Sequence, residues 1–147
     1  MKSGLVSVII PLFGDFDPTK VEMCIDSIKN QRYPDLEIVV VEQTKNPSLS
    51  GIKHITYQHL PVTFSEDGFF MPGRVRNQAA KISSGQFIYN NDGDILFSDQ
   101  DYLIKLVEIM QESQRVCVYQ PIIRRIPVEN FERFRRRFKE AGINLAI

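Results

Sequence analysis

The sequence predicts a three-layer α/β/α sandwich with a mainly parallel, Rossmann-like sheet. Two observations carry that expectation. The runs Leu5 to Leu12 (LVSVIIPL) and Leu36 to Glu42 (LEIVVVE) are apolar almost throughout and rich in β-branched residues, as strands buried on both faces are. After the first of them the apolar spacing switches to the helical period, and strands and helices then alternate along the chain.

The elements follow in order. The first strand ends near Pro11 and is followed by Gly14. Asp17-Pro18 supplies an N-cap and a proline at the first helical position. Val21, Cys24, Ile25 and Ile28 then recur at helical spacing, and Tyr33-Pro34 stops the helix. After the second strand, a polar stretch reaches Gly51 and a weaker strand is expected around His54 to Leu60. Pro61 to Pro72 reads as a loop carrying Phe64, Phe69 and Phe70. Gly73 to Ser84 reads as a short helix closed by Gly85, with Val75, Ala79 and Ile82 on one face. Gln86 to Asn91 is a strand that runs directly into Asp92-Gly93-Asp94. Ser98, with Asp101 three residues on, resembles a capping box for a helix faced by Leu103, Leu106, Val107 and Met110. Val116 to Gln120 reads as a fifth strand, and Val128 to Ala141 as a last helix with Phe131, Phe134 and Phe138 on one side.

Composition narrows the function classes. A chain of 147 residues has room for one ordinary domain, taken as residues 1–147. Eighteen basic residues balance eighteen acidic ones, so the chain carries no electrostatic footprint for nucleic acid. No apolar run approaches the ~20 residues of a membrane-spanning helix. Cys24 and Cys117 sit among apolar neighbours and read as buried, reduced thiols, which points to the cytoplasm. Arg124, Arg125, Arg133, Arg135, Arg136, Arg137 and Lys139 lie on and before the last helix. They read first as a solvated face, and secondarily as a peripheral contact with the inner membrane face, with the phenylalanines opposite.

In sheets of this kind ligands bind beyond the carboxyl ends of the strands. There the sequence places Phe13 and Gly14, then Glu42 and Gln43, then Asp92, Gly93 and Asp94. Two carboxylates flanking a glycine can turn toward one point, and hard cations such as Mn²⁺ or Mg²⁺ favour a few carboxylates plus phosphate oxygens and water. The same triplet is ordinary turn chemistry when it lies on a surface; its place after a buried strand favours a site. Arg74 and Arg76 lie at the start of a helix, where the macrodipole disfavours cations and a bound anion would favour them. A pair with Asp67 is the alternative. Glu42 is expected to accept from a base N–H or a ribose hydroxyl, or else to be a solvated strand-end acid.

Taken together, VSVIIPLFG, EIVVVEQT and GRVRNQAAKISSGQFIYNNDGD resemble the opening strand, second strand and acid-pair (DxD) region of family 2 glycosyltransferases. The resemblance covers about Leu5 to Pro121 and implies a GT-A fold that binds a nucleotide-diphosphate sugar, a UDP-sugar by preference, with Mn²⁺ or Mg²⁺. It implies Asp94 as the principal metal ligand and Asp92 on the ribose or the metal. It also implies Glu42 at the base, Arg76 near the base or diphosphate, and Pro11 and Phe13 lining the pocket. The acceptor would be a saccharide or a lipid-linked group, and transfer would be inverting. Three departures stand out: Gln43 in place of a second acid, Gly14 in place of an asparagine, and polar Asn90 and Asn91 before the acid pair. The segment after Gln120 is short for an acceptor-binding region, so the chain is expected to lack most of one, and no catalytic base is identified. A non-catalytic binding module with the same fold is the competing expectation, and an aspartyl-phosphate chemistry at Asp92 and Asp94 a weaker one.

Overall fold

In a computed structural model of the chain, residues 4–62, 72–113 and 123–141 are described. Four strands form one all-parallel sheet: β1 (Val6–Phe13), β2 (Leu36–Thr44), β3 (Thr56–Pro61) and β4 (Phe87–Asn90). Their spatial order is β3-β2-β1-β4. Four helices accompany them: α1 (Pro18–Lys29), α2 (Pro72–Ile82), α3 (Tyr102–Glu112) and α4 (Phe131–Ala141), the last preceded by a 3₁₀ turn at Val128–Asn130. The fifth strand expected at Val116 to Gln120, Cys117, the loop aromatics Phe64, Phe69 and Phe70, and Asp67 lie outside the described residues.

The strand pleat sorts the core into two layers. Val8, Ile10, Leu12, Ile38 and Val40 pack with Val21, Cys24, Ile25 and Ile28 of α1 and with Leu103 and Val107 of α3. Ile9, Val39 and Val41 point the other way and pack with Val75 and Ala79 of α2. Helices thus cover both faces of the sheet, which is why β1 and β2 read as continuous apolar runs rather than alternating ones.

Local signals set the element ends. Asp17 caps α1, its side chain accepting from the Thr19 N–H at 2.9 Å. Ser98 does not cap α3: that helix starts at Tyr102, and its preceding turn is organised by Asp99, which accepts from the Asp101 N–H at 2.9 Å and from Lys105 Nζ. Short polar side chains compete for backbone donors at several nearby positions, so a capping pattern alone can land three residues early.

The expected apolar face of α4 forms, but it faces inward. Phe138 is buried with Met23, and Phe131 and Phe134 pack against the same cluster with Leu96. These phenylalanines therefore contribute to the protein's own core. No helix among the described residues is long and apolar enough to cross a membrane.

Buried polar groups tie the α2–β4 turn to the sheet. Ser7, in β1, donates through its hydroxyl to Glu37 of β2 at 2.9 Å and accepts from the Gly85 N–H at 2.8 Å. A Cβ at Gly85 would sit on the Ser7 hydroxyl, 2.6 Å from the Ser7 backbone nitrogen and 2.9 Å from the Leu5 carbonyl. Backbone of the central strand cannot move aside cheaply. Gly85→Ala is therefore expected to destabilise the fold by about 1–3 kcal/mol, read as a lower urea midpoint at unchanged slope.

Candidate active site at the switch between β1 and β4

The chain runs from β1 outward to β2 and β3 on one side, then returns to place β4 on the other side of β1. This reversal between β1 and β4 is the topological switch point at which open α/β sheets leave a crevice. Pairing between the two strands extends only to Ile9 with Asn90, and the last bond across the gap is Asn91 N–H to the Ile9 carbonyl at 3.0 Å. β1 continues for four more residues, paired there with β2.

Pro11 explains itself in this frame. Peptide groups along a strand point alternately to its two neighbours, and Leu5 and Ile9 direct their carbonyls to the β4 side. The missing N–H of Pro11 would face the same side, past the point where β4 has left, so the proline forfeits no ladder bond. It is buried, while Phe13, two residues on along the same face, is half-buried at the mouth. Gly14 follows at φ 59°, a left-handed conformation that glycine enters freely and asparagine better than most residues.

The acid loop leaves β4 across the ends of these residues. Arg76 reaches over from α2 to pair with Asp92 at 3.0 Å, and the two side chains are 39% and 54% exposed. Asp94 is also exposed. Gly93 is required by space, not by backbone freedom: among the glycines with described geometry, Gly14 is the one at positive φ, whereas a Cβ on Gly93 would collide with Leu12 and approach Val21 to 3.3 Å. The glycine therefore sinks the centre of the loop into the core and leaves both carboxylates outside. Arg74 is exposed and sits two residues before Arg76, on a different side of α2, so the helix does not aim the two guanidinia together.

Glu42 is not the free rim carboxylate expected of it. It is 0% exposed and accepts from the Tyr57 hydroxyl at 2.6 Å, the Thr44 hydroxyl at 2.6 Å, and the Ser48 N–H and hydroxyl at 3.1 and 2.9 Å. The pleat decides this: Glu42 shares the face of Val40, beside Tyr57 and His59 of β3, while Gln43 shares the face of Val41 and α2. Glu42 thus holds the 44–49 turn against β3, and half-buried Gln43 is paired in register with Phe13. Burial alone would raise the Glu42 pKa, but the bonds from Thr44, Tyr57 and Ser48 outweigh it and hold the carboxyl below its ordinary value. Tyr57, half-buried and donating to that carboxylate, is pushed up by desolvation and by that bond and stays a phenol.

A polar seam beneath the acid loop was not legible as such. Cys24, Ser27 and Gln31 recur at i, i+3 and i+7 on and just after α1, among its apolar positions. Ser27 accepts from the Phe97 N–H at 3.1 Å; Gln31 donates to the Asp99 carbonyl at 2.7 Å and accepts from the Leu103 N–H at 3.1 Å. Cys24 Sγ accepts from Asn91 Nδ2 at 3.1 Å. The Cys24 thiol is pushed up to about 12, chiefly by burial, with the Asn91 bond opposing and the charges of Asp94 and Asp92 reinforcing. It is a neutral structural thiol. Helical spacing of small polar residues within an apolar face is the signal that marks this seam.

Comparison with known proteins now bears on the site. The family model of glycosyl transferase family 2 matches residues 7–146. The chain belongs to this family. A curated relative, the poly(ribitol-phosphate) beta-glucosyltransferase of Bacillus spizizenii (strain ATCC 23059 / NRRL B-14472 / W23), is 28% identical over 114 residues, covering 74% of this chain and 18% of the relative. Among solved structures, S. aureus TarS (residues 1–349) superposes with a TM-score of 0.56 at 21% identity over 74% of this chain and 32% of its own. The mannosyltransferase PcManGT from Pyrobaculum calidifontis, solved with GDP-Man and Mn²⁺, gives 0.53 at 22% identity over 71% and 32%. At these identities the likeness is one of fold, and it places this family 2 domain in the GT-A class. The domain spans about a fifth of its curated relative and about a third of these solved chains.

Within the family 2 domain, Asp92 and Asp94 are both exposed on the loop that follows β4, and no group of three or more metal-ligating side chains exists among the described residues. That donor set fits Mn²⁺ or Mg²⁺ held jointly with substrate phosphates, since such ions take one or two carboxylates and complete their shell with phosphate oxygens and water. It does not fit a metal held by protein alone.

Glu42→Ala would leave the Ser48, Thr44 and Tyr57 donors without their acceptor and is expected to cost on the order of 2–4 kcal/mol in a urea melt. Glu42→Gln should cost less and change the pH response. Because the folded pKa lies below the unfolded one, the carboxylate's contribution is full above the ordinary glutamate range and is lost as pH falls through the folded value. The stability gap between wild type and Glu42→Gln should therefore narrow on acidification through that window, measured by urea melts at a series of pH values.

Proposed function

We propose that this chain binds a nucleotide-diphosphate sugar in the β1–β4 crevice, with Mn²⁺ or Mg²⁺ on Asp94 and Asp92, as the donor half of a glycosyltransferase. The observation that carries this reading is the acid loop at the switch point, with Arg76 of α2 drawn to 3.0 Å from Asp92. Pro11 and Phe13 would wall the nucleotide, and Arg76 and Arg74 would supply positive charge toward the diphosphate. Glu42 acts from behind, fixing the turn that follows β2. Gln43 stands where an acid was expected, and its amide offers both a donor and an acceptor to a base edge.

In the reaction, an acceptor hydroxyl oxygen attacks the anomeric carbon and the bond from that carbon to the diphosphate oxygen breaks. The nucleoside diphosphate leaves with the electron pair, and the hydroxyl proton passes to a general base. A divalent ion held by Asp94 and Asp92 would neutralise charge developing on the departing diphosphate. The chain's part is to hold that diphosphate: Asp94 and Asp92 fix the carboxylate side of the site, and Arg76 orients Asp92 while adding its own charge. Inversion at the anomeric carbon, a saccharide or lipid-linked acceptor, and UDP as the preferred nucleotide complete the proposal. Support for UDP comes from TarS, also solved with UDP-GlcNAc, while PcManGT with GDP-Man makes GDP the control.

Calorimetric titration with UDP, GDP and UDP-sugars, in Mn²⁺ and again in EDTA, tests the site. Mn²⁺ should strengthen UDP binding at least about tenfold, and Asp94→Ala should remove that gain. Equal affinities in Mn²⁺ and EDTA, or a gain that survives Asp94→Ala, would sink the assignment.

A further inference from the structure

Two exposed carboxylates on a loop define a metal site only if the loop's backbone is held still. The acid loop closes on itself with a single backbone bond, Ile95 N–H to the Asp92 carbonyl at 3.0 Å. Its backbone carbonyls are held further by the Asn91 amide and the Cys24 thiol. Asn91 is 1% exposed, and its Nδ2 lies 3.2 Å from the Asp92 carbonyl, 3.0 Å from the Ile95 carbonyl and 3.1 Å from Cys24 Sγ. The Cys24 thiol in turn donates to the Asp92 carbonyl at 3.8 Å. Meanwhile the Asn91 backbone N–H is bound to Ile9. One residue therefore joins the central strand, α1 and both ends of the acid loop.

An apolar residue at this position would suit a buried strand end equally well for packing, and a buried amide is costly unless its hydrogens find acceptors. The amide here has three acceptors for two hydrogens, two of them being the carbonyls that bracket Gly93 and Asp94. Asn90, its polar neighbour, is exposed and needs no such partners. We propose that Asn91, with Cys24 as its support on α1, is a positioning pair that fixes the Asp92–Asp94 loop in the geometry required to hold a divalent cation against a nucleoside diphosphate. Neither residue touches the cation or the nucleotide. The inference rests on the reading of Asp92 and Asp94 as the metal–diphosphate site.

The test compares UDP affinity in Mn²⁺ with that in EDTA, because a purely structural role lowers the melting temperature without moving that ratio. Asn91→Leu keeps the side chain's bulk and removes both amide hydrogens. It should fold, leave the affinity in EDTA within about twofold, and cut the gain from Mn²⁺ by about 10-fold or more, as loss of groups that orient metal ligands does. Amide hydrogen exchange at residues 92–95 of the metal-free chain should accelerate in the same variant. Cys24→Ser retains a donor and an acceptor and should stay within about threefold of wild type, whereas Cys24→Ala should lose more of the gain.

An Asn91→Leu chain with a wild-type Mn²⁺ gain and unchanged exchange would overturn the proposal. If Asn91→Leu does not fold, equal gains in Cys24→Ser and Cys24→Ala overturn it instead. A wild-type chain with no Mn²⁺ gain at all, or one whose gain survives Asp94→Ala, takes down the parent reading and this one together. A gain that Asp94→Ala abolishes and Asn91→Leu leaves intact takes down this one alone.

Discussion

The hydrogen bond from the Asn91 N–H to the Ile9 carbonyl is the last one between β1 and β4, and the candidate site is organised by what happens past it. Up to that bond, β1 is paired on both sides and fully enclosed. Beyond it, the strand partner of β1 among the described residues is β2. The parting opens one side of the central strand just where the sheet's connectivity reverses. A proline is tolerated there, an aromatic can stand at the rim, and the chain leaving β4 is free to cross the opening instead of continuing the ladder.

What crosses is held by α1. Cys24, Ser27 and Gln31 present one donor or acceptor per helical turn to the segment from Asn91 to Leu103, so that segment needs no strand or helix of its own until α3 begins. Buried backbone groups must be paired, and here a helix face does the pairing. Gly93 completes the arrangement by letting the loop's middle touch Leu12 and approach Val21. Rigidity below and exposed carboxylates above follow from the same contacts. Arg76 then arrives from the opposite layer, on a helix whose position is set by the second core of Ile9, Val39 and Val41. The site is thus built from both faces of the sheet and depends on neither alone.

Most of this fold was legible because its strongest signals are one-dimensional. Runs such as VSVIIPL can be buried on both faces only in a parallel sheet with helices above and below, and Asp17-Pro18 marks a helix start whatever surrounds it. The rim residues were legible for the same reason: they follow strands, and the fold class says which ends matter. What could not be read depends on which way a side chain turns. Glu42 and Gln43 are adjacent, and a one-residue choice of pleat puts one in a buried cage and the other on the opposite face of the sheet. Sequence proximity to the rim favoured the acid; the neighbouring strand, through Tyr57, captured it. Ser98 misled in a similar way, since the donors it was expected to cap belong to a turn that Asp99 organises.

Asn90 and Asn91 show the limit most clearly, because residue type alone makes them look alike. Both are polar where a buried strand end would be apolar, and either could have been a surface residue at a frayed edge. The structure separates them by pleat and by partner: Asn90 exposed, Asn91 sunk between α1 and the loop. A buried amide persists only where several acceptors converge on it, and carbonyls converge where backbone has left regular structure. A polar residue at the end of an apolar strand is therefore most informative when the next residues are the ones that must be held, as Asp92 and Asp94 are here. The departure from the expected apolar pattern and the acid pair are consequently one feature, the first supplying the fixed backbone from which the second projects.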